Sequence, residues 1–96
     1  MNIKSLKQHA DMYNTALAVA LLIEGAGGNN VAVEADENFD GSPFIDLWDT
    51  ELLDGKSIAY VGIDNGNVVI TNNLTNEVNT TFESLAKYLS YGIALV

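Results

Sequence analysis

Apolar residues near the start of the chain recur at steps of three and four: Ile3, Leu6, Ala10, Tyr13, Leu17 and Leu21. That is the period of an amphipathic helix, whose apolar stripe packs against a core. Ser5 and Gln8 have the spacing of a capping box, with Asn2 as an earlier alternative start. Gly25 suits the left-handed residue after the last turn, and Gly27, Gly28, Asn29 and Asn30 continue as loop. Towards its end the helix becomes apolar all round (Ala18, Val19, Ala20, Leu22), so this end is expected to pack on more than one side.

Beyond residue 30 the period falls to two. Val31–Ala35 and Phe44–Trp48 read as strands around Asn38-Phe39-Asp40-Gly41, a type I turn whose glycine takes the left-handed position of a three-residue hairpin loop. Ser57–Ile63 and Val68–Thr71 form a second pair around Asn65-Gly66, the strongest short hairpin signal. Turn chemistry then sets the register. Asp36 faces Phe44, Glu34 faces Asp46 and Ala32 faces Trp48; in the second hairpin Ile63 faces Val68 and Val61 faces Ile70. Val31, Val33, Ala35, Ile45 and Leu47 share one face, taken as inward, and Val61, Ile63, Val68 and Ile70 do likewise.

Residues 73–79 read as loop, with room for a short strand. Thr80 and Glu83 match a second capping box, followed by a stripe of Phe82, Leu85, Ala86, Leu89 and Ile93. Gly92 is expected to end this helix, and the apolar Ile93–Val96 to dock on the core or add a strand. The fold class is therefore α+β in a single domain. It is a four-stranded antiparallel sheet of two hairpins, with an N-terminal and a C-terminal helix on one face.

Composition removes several chemistries. There is no cysteine, so neither a disulfide nor a thiolate ligand or nucleophile exists. Arginine is absent, and four lysines against thirteen acids give a net charge of −9, unsuited to nucleic acid or an anionic membrane and suited to cationic partners. The longest aliphatic run, Ala16–Ile23, is eight residues, far short of the ~20 that span a bilayer. A cytoplasmic protein is expected. The lone histidine, His9, falls beside Gln8 on the polar side of its helix, and Ser57 and Ser84 have no histidine partner. The sequence GAGGNN follows a helix rather than opening one and lacks Lys-Ser/Thr, so it is not read as a phosphate loop. No enzymatic activity and no cofactor are expected.

The informative feature is where the acids lie. Eight of the thirteen fall between Glu34 and Asp54, a stretch without lysine: Glu34, Asp36, Glu37, Asp40, Asp46, Asp49, Glu51 and Asp54. Asp36, Asn38, Asp40 and Gly41 match positions 1, 3, 5 and 6 of a calcium loop. Position 12, where that loop needs a bidentate carboxylate, is Leu47, and both flanks alternate like strands, so the segment reads as a hairpin turn. Its outer face then carries Glu34, Asp36 and Asp46 beside Phe44 and Trp48, bulky anchors next to concentrated charge.

An acidic, cysteine-free α+β layout with an acidic hairpin and "TTFESLAKYL" as closing helix resembles the small inhibitors of the anti-CRISPR and DNA-mimic type encoded by phages and mobile elements. The resemblance covers size, charge and layout, without a shared motif. It implies a stoichiometric inhibitor that occupies the basic nucleic-acid site of a host defence complex. The residues expected to meet such a partner are Glu34, Asp36, Asp40, Phe44, Asp46, Trp48, Asp49, Glu51 and Asp54. Two alternatives stay open: a homodimeric assembly module joined through the apolar end of the first helix and the Ile93–Val96 tail, or a calcium-binding hairpin.

Overall fold

The computed structural model describes residues 2–90. A long helix, α1 (Ile3–Gly25), opens the chain and is followed by five strands: β1 (Val31–Glu37), β2 (Pro43–Asp49), β3 (Ser57–Asp64), β4 (Asn67–Asn72) and β5 (Glu77–Thr80). A second helix, α2 (Phe82–Ser90), follows. The sheet is an antiparallel meander, each strand beside its neighbour in sequence, so β1 and β5 form its edges. The α+β class and the helix-first, helix-last order are as expected. The sheet has five strands rather than four, because part of the segment read as loop pairs with β4 as β5. Asn76 and Asn79, both at positive φ, let β5 turn back and then bulge. The expected end of the second helix at Gly92 and the docking of Ile93–Val96 lie outside the described residues.

Both hairpins keep the register set by their turns. Asp36 stands across from Phe44, Glu34 from Asp46 and Ala32 from Trp48. Ile63 pairs with Val68 and Val61 with Ile70. The Gly41 amide donates to the Asn38 carbonyl (2.9 Å), and Gly41 is left-handed at φ 84°. Asn65 and Gly66 both have positive φ, as a two-residue hairpin of matching twist requires. A bulge between β2 and β3 sets Leu47 opposite Ala59 and Trp48 opposite Ser57, leaving Ile58 as the extra residue, fully buried.

The core lies between the sheet's inner face and the helices. It joins Ile45, Leu47, Ile58, Ala59, Val61 and Ile70 to Met12, Ala16, Val19 and Ile23 of α1 and to Leu85 and Leu89 of α2. Each large aliphatic side chain so enclosed contributes roughly 1.5–3 kcal/mol.

Helix α1 starts at the alternative cap. The Asn2 side chain accepts the Ser5 amide at 2.8 Å, so Ser5 lies inside the helix. The helix ends with Gly27 left-handed at φ 112°, two residues later than expected, and with the Gly28 amide donating to the Ile23 carbonyl at 3.0 Å. Helix α2 is capped by Thr81, whose hydroxyl accepts the Ser84 amide at 3.0 Å, one residue after the Thr80 of the expected box. Thr80 is a buried end of β5.

The larger departure concerns which side of α1 faces inward. Met12, Ala16, Val19 and Ile23 are buried, whereas Ile3, Leu6, Tyr13, Leu17 and Leu21 are 54–73% exposed. The two stripes lie about 135° apart at 100° per residue. The first helix thus has two apolar sides, and the one with the more regular spacing faces away from the sheet.

Candidate protein-binding surface

The outer face of the sheet carries no helix among the described residues. Strand alternation and register set its side chains in ranks across the strands. Ala32, Trp48 and Ser57 form one rank; Glu34, Asp46, Tyr60 and Thr71 the next; Asp36, Phe44, Gly62 and Val69 the third. Asp64 and Asn67 pair one step further, beside the β1–β2 turn. Neighbours within a rank are about 5 Å apart and successive ranks about 7 Å apart.

Three aromatic rings stand on this face, Phe44 and Tyr60 together and Trp48 towards the other end of β2. Phe44, Trp48 and Tyr60 are half-buried, so water reaches them. The rings of Phe44 and Tyr60 meet edge to face, with centroids 5.9 Å apart, an arrangement that adds about 0.5–1.5 kcal/mol beyond area burial. Around them stand Glu34, Asp36, Asp46 and Asp64, and none of the five strands contains a lysine.

Asp46 is held in place. The Ser57 hydroxyl donates to its Oδ1, and the Asn73 side-chain amide donates to the Ser57 oxygen at 2.6 Å. These bonds orient the carboxylate without neutralising it.

At the turn, the Asp40 Oδ1 accepts the Ser42 hydroxyl (2.6 Å) and the Ser42 amide (2.9 Å). Those bonds keep its carboxyl below the usual value of 3.8. Asp40 is exposed at the tip beside Phe39, whose ring stands wholly in solvent. Glu37, Asn38, Phe39, Asp40 and Phe44 line a shallow depression there. Phe39, Tyr60 and Asp64 extend the surface beyond the residues picked from sequence. A signal for each was present: an apolar ring at a turn tip, and the shared outward parity of Tyr60, Gly62 and Asp64.

Three expected site residues lie elsewhere. Asp49 is not at the surface. It faces inward opposite Val31, is fully buried, and accepts the backbone amides of Asn30 (2.9 Å), Glu51 (2.9 Å) and Leu52 (3.0 Å). Burial pushes its carboxyl up, but the backbone donors of Glu51, Asn30, Leu52 and Asn29 prevail and leave it below the usual 3.8. Its role is to tie the start of β1 to the end of β2. Strand parity already placed it inward, since Ile45, Leu47 and Asp49 alternate. Glu51 and Asp54 are exposed, but they sit in the β2–β3 connection at the opposite end from the Phe39 turn.

This arrangement can offer flat contact area with a negative rim. Among the described residues no three carboxylate or imidazole groups converge on a common point. The acidic turn is flanked by strands, and Oδ1 of Asp40 already serves Ser42. His9 is half-buried, its Nδ1 donating to the Ser5 carbonyl at 2.8 Å within its own helix. No helix among the described residues is long and apolar enough to cross a membrane. The chain matches no known family model, and no curated protein and no solved structure is significantly similar to it.

Proposed function

We propose that the protein is a non-enzymatic binding protein that presents the outer face of its sheet to a lysine- and arginine-rich partner. The observation that carries this reading is the open face on which the Phe44–Tyr60 pair and Trp48 stand among Glu34, Asp36, Asp46 and Asp64, with no lysine on its strands. Aromatic anchors supply the buried contact on which affinity depends, and the carboxylates steer encounter and exclude acidic partners. The sheet also holds these groups on hydrogen-bonded strands, so little ordering cost attends binding.

The partner class that fits is the nucleic-acid channel of a host defence complex, whose phosphate-binding side chains would be met by carboxylates. This is the mode of action implied by the resemblance to small acidic phage inhibitors. Asp49 has no part in it, while Asp40, Glu51 and Asp54 add charge at the two ends of the ribbon.

A competition assay tests this. Purified RNA-guided nuclease complexes are incubated with labelled target duplex and increasing protein, at low and at high salt. Displacement is expected at low salt and should weaken steeply as salt rises. The double variant Glu34→Lys with Asp46→Lys should lose at least tenfold in potency, and Trp48→Ala a similar factor. Equal potency of the charge-reversed protein would remove the proposal.

A further inference from the structure

We infer that the outward stripe of α1 is a self-association surface on which a second copy of this chain docks its own α1 in antiparallel orientation. Ile3, Leu6, Tyr13, Leu17 and Leu21 are each more than half exposed, along a line of about 27 Å. A standard stable interface takes about 800 Å² from each partner, and a stripe of this length would form its apolar centre. Apolar side chains aligned along one helix form a contiguous patch, unlike the singly scattered residues that need no explanation.

Charge selects the occupant. The chain carries −9, yet Lys4, Lys7, Asp11 and Glu24 cancel within α1, and residues 12–23 bear no charge at all. Two copies that met through the sheet would set carboxylate against carboxylate. Through α1 they meet neutral surface on neutral surface.

Spacing gives the fit. With Ala10 included, the stripe advances by steps of three and four residues, as a helix–helix seam does. Antiparallel superposition about the point between residues 11 and 12 places Leu6 opposite Leu17 of the second copy and Ala10 opposite its Tyr13. The small residue thus receives the large one on both sides of the two-fold axis, as an isologous contact requires.

Because α1 packs on the inner face of the sheet, over β2–β4 more than over β1, where Val33 stays 55% exposed, this pairing leaves both outer faces free. The inference does not depend on the proposed function. Salt distinguishes the two: screening weakens attraction to a basic partner, but it relieves the repulsion between two chains of like charge.

The test is sedimentation velocity on the full chain across a concentration series, at low and at high salt. The expected result is a dimer of twice 10.3 kDa that is at least as stable in high salt. Leu17→Glu and Leu6→Glu should each halve the mass while circular dichroism stays unchanged and the melting temperature falls only to that of wild-type protein diluted to monomer, because both side chains are already exposed. A wild-type chain that remains monomeric at the highest concentration overturns the inference. So does a Leu17→Glu protein that still dimerises, and so does a Leu17→Glu monomer that melts below wild-type protein diluted to monomer, which would mean that the chain covers this stripe itself.

Discussion

Asp49 shows how one side chain is used differently from what its type suggests. In a list of acids it looks like surface charge; in the fold it is an enclosed acceptor for three backbone donors that no other group serves. Gly28 lies against it, and a Cβ there would stand 3.0 Å from the Asp49 Oδ2 and 3.0 Å from the Ile23 carbonyl. Gly28→Ala should therefore cost about 1–3 kcal/mol through overpacking, read by urea denaturation. Asp49→Ala should lower the melting midpoint by roughly 10 °C, since the amides of Asn30, Glu51 and Leu52 lose their acceptor. The pH dependence has a definite sign. The folded carboxyl sits below the ordinary 3.8, so the unfolded chain binds its proton more readily. The stabilisation is complete above that value and is lost as pH falls through the lower folded one. Acid melts of the wild-type and Asp49→Ala proteins should thus converge at the low end.

The elements divide by whether their placement was set locally. Asn65-Gly66 and the Asn38–Gly41 turn determine strand pairing within a few residues, and both registers were legible in the sequence down to the partner of each residue. Gly66→Ala, at φ 80°, should lose about 1–2 kcal/mol in thermal denaturation, more than a neutral surface change would. Strand β5 was harder to read, because Glu77-Val-Asn-Thr80 is short and Asn79 interrupts its extended backbone. The orientation of α1 could not be settled by periodicity, since the Ala16–Ile23 run supplies apolar side chains in every direction. The sheet chose the side with Ala16 and Val19, and that choice is a tertiary one. The same limit applies to the candidate site. Parity gave Glu34, Asp36, Phe44, Asp46 and Trp48 a common face, whereas grouping acids by sequence window admitted Asp49, Glu51 and Asp54 and left out Asp64.

At the scale of the whole molecule, the layers separate two kinds of surface. The helical side is neutral and aliphatic; the bare side of the sheet is aromatic and anionic. Single lysine substitutions should reveal this division in the competition assay. Asp64→Lys on the bare side should weaken displacement severalfold, while Glu24→Lys on α1 should leave it unchanged. One further consequence attaches to the free edge at β1. Its seven residues offer unpaired backbone groups along one side, and Glu34, Asp36 and Glu37 are the charges that discourage another strand from joining there. Near the isoelectric point of about 4.1 the molecule's net charge vanishes and copies no longer repel one another, while the hydrogen-bonding groups of the edge persist, so storage in mildly acidic buffer should seed ribbons of stacked sheets, visible by dye fluorescence and reversed by raising the pH before they mature.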